Sequence, residues 1–151
     1  MAETLNIFTY DEKKGSVKNG EKGLGFSCKL YGTANAGDFV KIKDVTASKV
    51  IVVEVIAANT DDVFGVIPYE SSKKNAYVAN DMVTVMADFT RVVCQASAAV
   101  AAGATVMPVV SGMKVATQTT GKTAIGIALT PAENADELIE VLIKRTLVLA
   151  S

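Results

Sequence analysis

Short apolar runs recur along most of the chain, and turn-forming residues separate them. The run at residues 50–56 is the strongest, because it is β-branched on both faces except at Glu54. Residues 39–43 alternate between apolar and polar side chains, as expected for a half-buried strand. The only segments that could form helical turns are residues 97–102 and 131–135. The pattern predicts strands at residues 24–30, 39–43, 50–56, 63–67, 82–86, 90–95, 105–110, 114–117, 123–129 and 138–144. The strands at residues 82–86 and 90–95 are expected to form a hairpin around residues 87–89.

Part of this pattern occurs twice. The motif Ala-Gly-x-x-Val begins at Ala36 and again at Ala102, and each copy is followed by an apolar-Gly-apolar strand centred on Gly65 or Gly126. A polar connection and a closing strand follow in both cases. A glycine inside a strand marks a bend or the close approach of another backbone. The matches predict an internal duplication of a β unit over residues 36–90 and 102–145.

The first part of the chain lacks this pattern. Residues 1–23 are polar, are interrupted by glycines and show no sustained period. We therefore expect an extended N-terminal arm at residues 1–23 and a single β domain at residues 24–151. The arm contains a partly alternating stretch that would suit a strand added to the edge of another chain. Its large apolar residues are Leu5, Ile7, Phe8 and Tyr10.

The composition agrees with a globular β domain. Apolar residues make up 50% of the chain and charged residues 21%, which is enough for a substantial core. The net charge of −1 gives no reason to expect nucleic acid or a membrane surface as a partner. Residues 92–113 form a long uncharged run, but Gly103, Pro108 and Gly112 favour strands and turns over a transmembrane helix.

The cysteines and the first residues bear on the compartment. Cys28 and Cys94 both lie in apolar surroundings, so we expect two small buried side chains rather than a disulfide. The first residues show no basic region followed by an apolar one, so no signal peptide is expected. We expect synthesis in a reducing cytoplasm.

The residues for common catalytic sites are missing. The chain has no histidine, which excludes Ser-His and Cys-His nucleophile pairs and histidine metal sites. The sequence Gly-Lys-Thr at residues 121–123 lacks the upstream glycine of a phosphate-binding loop and is typical of a hairpin turn. The paired acids at residues 61–62 and 136–137 are interpreted as solvated loop charge. We expect no enzyme activity, no metal and no cofactor.

Lys114 leaves one alternative open. It follows Met113 on a predicted tight turn between two strands, which is similar to the hairpin lysine of biotinyl and lipoyl carrier domains. Such a lysine must project from its turn so that the attached cofactor can swing between sites. The alternative function is therefore a carrier domain, or a small ligand-binding β-barrel, that uses Lys114.

The order of motifs resembles that of a known family. The Ala-Gly-x-x-Val motif, the sequence Thr-Gly-Lys-Thr-Ala-Ile-Gly-Ile-Ala-Leu at residues 120–129, an Ala-rich turn and a closing strand are similar to the capsid decoration (cement) proteins of tailed phages. The resemblance covers roughly residues 37–144 and is clearest from Ala96 onward. It implies an all-β, compact, β-barrel or β-sandwich-like (β-tulip-like) body, often assembled as a trimer on the outer capsid surface. It transfers no catalytic residue.

With this resemblance, the sequence predicts a structural virion protein that binds the outer surface of a phage head and stabilises the shell. The expected partners are the major capsid protein and further copies of the chain, as a homotrimer made in the host cytoplasm. The arm residues Leu5, Ile7, Phe8 and Tyr10 are the expected capsid contacts. The uncharged run supplies the expected oligomer interface, at Val92, Val93, Val100, Val106, Met107 and Val109.

Overall fold

The computed structural model describes residues 13–18, 25–70, 75–119 and 121–144. These residues form strands and turns and contain no helix, which confirms the all-β prediction. Every predicted strand is present, and two further strands have only two residues each. The strands are β1 (Gly25–Leu30), β2 (Ala34–Asn35), β3 (Phe39–Val45), β4 (Ile51–Val55), β5 (Gly65–Val66), β6 (Ala76–Tyr77), β7 (Met82–Met86), β8 (Arg91–Gln95), β9 (Thr105–Val109), β10 (Lys114–Thr117), β11 (Gly126–Ala128) and β12 (Leu138–Ile143).

The first half of the fold is a closed barrel with the strand order β1-β4-β3-β5-β7. We call residues 25–86 unit 1. Its ladders are antiparallel except for the one between β1 and β4, where Lys29 lies opposite Val52 in a parallel pair. This parallel pair joins the two ends of the sheet and so closes the barrel.

The second half, which we call unit 2 (residues 91–143), repeats that arrangement. Its five-stranded sheet has the order β10-β9-β11-β12-β8. A parallel bridge between Ala96, just after β8, and Val115 in β10 joins the two ends of this sheet. Strands β8, β10, β9, β11 and β12 therefore take the places of β1, β4, β3, β5 and β7.

Matching hydrogen bonds fix the equivalence residue by residue. In unit 1 the amide of Gly37 donates to the carbonyl of Ile67 at 2.7 Å, and in unit 2 Gly103 donates to Ala128 at 2.7 Å. Both glycines have positive φ angles, 90° and 84°, and precede β3 and β9. This shared pattern supports the internal duplication, which stays a prediction. The equivalence begins at β1 and β8, upstream of the starts predicted at residues 36 and 102.

The two glycines inside strands behave as the sequence predicted. A Cβ atom at Gly65 would lie 2.5 Å from the carbonyl oxygen of Met86, and one at Gly126 would lie 2.1 Å from that of Leu142. Met86 and Leu142 hold equivalent places in β7 and β12. Close contact with the backbone of the closing strand is thus built into both units.

One prediction about connectivity is wrong. Residues 82–86 and 90–95 were expected to form a hairpin, but β7 pairs with β1 and β5, whereas β8 pairs with β12. The turn between them passes from one unit to the next. Local alternation fixes the strands but carries no information about their partners, because a short loop permits either pairing.

The units share a hydrophobic core. One cluster lies inside the unit 1 barrel and includes Leu30, Val53 and Val85. The other fills unit 2 and also contains residues of unit 1, namely Phe39, Ile56, Val63 and Val66. The two units therefore do not fold around wholly separate cores.

Residues 13–18, which we call the strap, lie between the units. The amide of Gly15 donates to the carbonyl of Val93 at 2.8 Å, and the amide of Val93 donates to Ser16 at 2.8 Å. On the other side, the amide of Tyr69 in unit 1 donates to the carbonyl of Gly15 at 3.0 Å. The ammonium of Lys14 donates to the carbonyl of Gly112 in unit 2 at 2.9 Å. Residues 13–18, which lie within the expected arm, are therefore bonded to the body, with Val17 in an antiparallel bridge to Val92, and the arm at residues 1–23 stays a prediction.

Candidate interaction surfaces

The residues predicted to form the oligomer interface lie in two different environments. Val92, Val93, Val100 and Val106 are at most 2% exposed within a single chain. Their side chains fill the interior and have no surface to offer a second copy, which corrects the expectation at these four positions. Met107 and Val109 are partly exposed on β9. The prediction of an interface in this region now depends on these two side chains.

Large exposed apolar side chains are concentrated in unit 1. Isolated exposed apolar residues are ordinary, whereas a concentration of them on one part of a molecule indicates a binding surface. Unit 2 contributes Leu129 and Leu138, and Phe89 lies between the units. The unit 1 members are Tyr31, Ile42, Val45, Val78 and Met82.

A groove of about 750 Å³ crosses the outer face of unit 1. It is lined by the strap residue Val17, by Phe26 and Met86, and by the segment that includes Tyr69. Of the described residues that line it, Glu70 alone is acidic. Among the described residues, no group of three or more His, Cys, Asp or Glu side chains could hold a metal ion.

The two thiols are free and buried at equivalent positions in β1 and β8, as predicted. Burial raises the pKa of the Cys28 thiol, and it raises the pKa of the Cys94 thiol to about 12. A nucleophilic cysteine needs a lowered pKa and access to solvent. These thiols have neither property and serve as small core side chains.

The paired loop acids have local structural partners. Asp61 accepts the amide of Ala57 at 2.7 Å and the ammonium of Lys41 at 3.0 Å, and the first of these bonds is the main reason why its pKa is lowered. Glu137 accepts the amide of Glu133 at 2.9 Å, which lowers the pKa of its carboxyl. Both groups stay ionised at neutral pH and fix turns, so neither is suited to act as a general acid.

Comparison with known proteins decides the family. A family model described as a phage cement protein matches residues 17–144. The chain belongs to the phage cement protein family. The resemblance seen in the sequence is thereby confirmed, and the match also includes β1 and the end of the strap. Membership in this family indicates a structural rather than a catalytic protein.

Solved structures add a likeness of fold to the family match. The base of a phage fibre, described as "head fiber gp8.5 N base in bacteriophage phi29", aligns with a TM-score of 0.53 at 16% identity. The alignment covers 83% of this chain and 97% of that one, so nearly the whole fibre base shares the fold. The search of curated proteins found no match.

Lys114 does not have the setting of a carrier lysine. It is the first residue of β10, and its ammonium bonds a carboxylate oxygen of Asp136. The turn before it is formed by Gly112, at a φ of 79°, and Met113, at 49°. A swinging cofactor needs a lysine that projects from its turn, whereas this one is held by a salt bridge. The carrier alternative is therefore not supported in this cement protein family member.

One feature of these surfaces, the strap, escaped sequence reasoning. The predicted capsid contacts Leu5, Ile7, Phe8 and Tyr10 lie outside the described residues. The strap was missed because its bonds come mainly from the backbone and leave no apolar period in the sequence. Its one readable signal is Gly15, where an added Cβ atom would lie 2.7 Å from the amide nitrogen of Gly37. In the part of the chain that the structure describes, no helix is long and apolar enough to cross a membrane.

Proposed function

We propose that this chain binds the outer surface of a phage head and stabilises the shell. The observation that carries the proposal is the match of a phage cement family model to residues 17–144. The fold shared with the base of a phage head fibre supports a place on the head. The proposed partner is the major capsid protein.

The stabilising effect would follow from mass action. A protein that binds the assembled shell, but not its separated subunits, lowers the free energy of the shell by RT ln(1 + [L]/Kd). This amounts to about 2.7 kcal/mol per site when the free protein is at a hundred times its Kd. No chemistry is required, in keeping with two buried thiols and loop acids that only hold turns.

A homotrimer is part of the proposal. Closed cyclic symmetry is the usual outcome when a chain presents surplus apolar surface to its own copies. The partly exposed Met107 and Val109 on β9 are the proposed contacts from residues 92–113. Sedimentation at micromolar concentration is expected to give three times the mass of one chain, and a monomer would contradict this part of the proposal.

The N-terminal arm supplies a proposed route of attachment. Leu5, Ile7, Phe8 and Tyr10 would add an extended strand to the capsid or to a neighbouring subunit. Because the strap belongs to the body, the arm to be tested ends at residue 12. The backbone hydrogen bonds that join Gly15, Ser16 and Lys18 to Val93, Tyr69 and Arg91 involve no residue before Lys13, so removal of residues 1–12 leaves them in place.

The test uses phage heads assembled without this protein. Purified protein is added in increasing amounts and the bound fraction is measured after pelleting the heads. We expect saturable binding and a higher temperature of DNA release from the decorated heads. Binding that rises linearly without saturation, or unchanged release, would contradict the proposal. The protein lacking residues 1–12 is the matched sample, and equal binding by both would assign the attachment to the body.

A further inference from the structure

The outer edge of β1 is open along its first half. Alternate residues of β1 bond to β7, as the amide of Leu30 does to the carbonyl of Asp81 at 2.8 Å. The backbone groups of Gly25 and Ser27 point the other way, toward the side where Tyr31 donates to Val53. Strand β4 pairs with β1 only from Lys29 onward. Among the described residues, nothing bonds that edge at Gly25 and Ser27, and both residues are exposed.

The same edge in unit 2 is occupied. Arg91 and Val93 are the equivalents of Gly25 and Ser27, because they lie opposite Leu142 and Glu140 as Gly25 and Ser27 lie opposite Met86 and Thr84. The strap bonds this edge: the amide of Lys18 donates to Arg91 at 2.8 Å, and Val93 both donates to and accepts from the strap. Unit 2 thus shows how an extended segment of this chain fits the site.

We infer that the open edge of β1 at Gly25–Ser27 binds residues 5–10 of a second copy of this chain as an added strand. An open strand edge is a template for pairing with another chain, and proteins seldom leave one uncovered. The occupant of the equivalent edge is a segment of this same chain. Residues 5–10 of the copy that provides the occupant lie just before its own strap. The inference deepens the self-association proposed above and does not depend on binding to heads.

The reach of the segment sets how close the second copy must be. Tyr10 is three residues before Lys13 and Leu5 is eight residues before it, so at about 3.3 Å per residue an extended segment lies about 10–26 Å from the strap. Residues 5–10 can therefore pair with a neighbour whose open β1 edge lies within that distance of the strap.

The charge at the site favours residues 5–10 over a second strap. In unit 2 the turn between β9 and β10 accepts the ammonium of Lys14 on the carbonyls of Gly112 and Met113, at 2.9 and 3.3 Å. The turn between β3 and β4 of unit 1 carries the exposed Lys49, at a φ of 70°. An exposed lysine there repels the strap's own lysines. It suits a segment flanked by Glu3, Asp11 and Glu12.

The first experiment detects the contact between copies. One chain carries Ser27→Cys and the other carries a single cysteine at position 5, 6, 7, 8 or 9, and the two are mixed before mild oxidation. Cys28 and Cys94 are buried in the native protein, so engineered thiols react first. We expect cross-linked dimers about tenfold more abundant for one parity of positions than for the other, since alternate residues of a strand share a face.

The parity comparison is an internal control for random collision. Equal cross-linking at all five positions, or none between chains, would overturn the inference. A chain that carries both cysteines tests whether the segment folds back on its own edge. If cross-linking stays within single chains when labelled and unlabelled proteins are mixed, the occupant is the chain's own segment and the inference is wrong.

The second experiment removes the edge donor. Ser27→Pro eliminates the amide that faces the open side, while the β1–β7 ladder keeps its bonds at the neighbouring positions. We expect self-association at least tenfold weaker than for Ser27→Thr, which retains the amide, and the same loss on removal of residues 1–12. Sedimentation of Ser27→Pro identical to that of Ser27→Thr would overturn the inference. Unaltered binding of Ser27→Pro to heads would leave the proposed function standing.

Discussion

The two units have the same strand order but close in different ways. In unit 1, the partly buried Phe26 and Phe64 pack against the barrel core with their ring centroids 5.2 Å apart and their planes tilted by 49°, and the parallel ladder between β1 and β4 completes the barrel. In unit 2 the equivalent positions hold the smaller Val92 and Ile125, which are 0% and 3% exposed. Those side chains are covered because unit 1 residues such as Phe39 join the same cluster.

The difference shows that the same strand order can be stabilised by side chains of the unit itself or by contacts with other parts of the chain. Unit 1 packs two aromatic rings against its own core, and among the described residues it carries most of the large exposed apolar side chains. Unit 2 relies on unit 1 for part of its core, and the strap bonds the edge whose equivalent in unit 1 is only partly covered by β4. Unit 2 is thus the half that depends more on the rest of the molecule.

The largest expected effect tests the contact that both units share. Gly126→Ala would place a Cβ atom 2.1 Å from the carbonyl oxygen of Leu142, and Gly65→Ala would place one 2.5 Å from that of Met86. Because the backbone must move in both variants, we expect each to lose about 3 kcal/mol or more in the free energy of unfolding. Urea unfolding measures the loss, which should be greater for Gly126→Ala.

The control for this comparison is Gly103→Ala. That glycine has a φ of 84° but no atom within 4 Å of a built Cβ, so only backbone strain is added. We expect a loss of about 1 kcal/mol. If Gly65→Ala and Gly126→Ala cost no more than Gly103→Ala, close backbone contact is not a shared requirement of the two units.

The next effect concerns the strap, which bonds the outer strand edge of unit 2 but not the equivalent edge of unit 1. Gly15→Ala would bring a Cβ atom within 2.7 Å of the amide nitrogen of Gly37, at a φ of 93°. We expect a loss of about 2 kcal/mol and faster hydrogen exchange at the amides of Val93 and Lys18, which bond across the strap. Gly32→Ala, with a φ of 86° and open space around it, is the control. Unchanged exchange at Val93 would mean that the strap does not hold unit 2.

A smaller effect concerns the pH dependence of stability that the buried Cys94 thiol causes. Burial raises the pKa of Cys94 to about 12 in the folded protein, against a usual value of 9.0. Between these values the unfolded chain loses a proton that the folded chain retains, so stability falls as pH rises above 9. The expected slope is about 1.4 kcal/mol per pH unit at most. Cys94→Ala should be less stable at pH 7, but its stability should change less with pH above pH 9. An equal slope in both proteins would contradict a raised pKa at Cys94.

The sequence predicted the strands because alternation and glycine spacing are local signals. Residues 105–110 and 138–144, for example, coincide with β9 and β12 to within one residue. Partners could not be predicted, because pairing depends on contacts between distant segments. The four valines predicted for the interface are apolar because they fill the interior. Apolar character alone does not distinguish a core residue from an interface residue. The strap and the open edge of β1 are defined by backbone bonds, which side-chain patterns do not encode.

The smallest expected effect is at Lys114, the position that could have marked a carrier domain. Its salt bridge with Asp136 is exposed on the Asp136 side, where the side chain is 61% exposed, and such pairs contribute about 0–1 kcal/mol. We expect Lys114→Ala to change the free energy of unfolding by less than about 0.5 kcal/mol and to leave binding to phage heads unaltered. The intact mass of the unsubstituted protein, expressed in cells that attach biotin and lipoate, should equal that of the bare chain. A mass increase that disappears in Lys114→Ala would show that the lysine carries a cofactor and would overturn the purely structural interpretation.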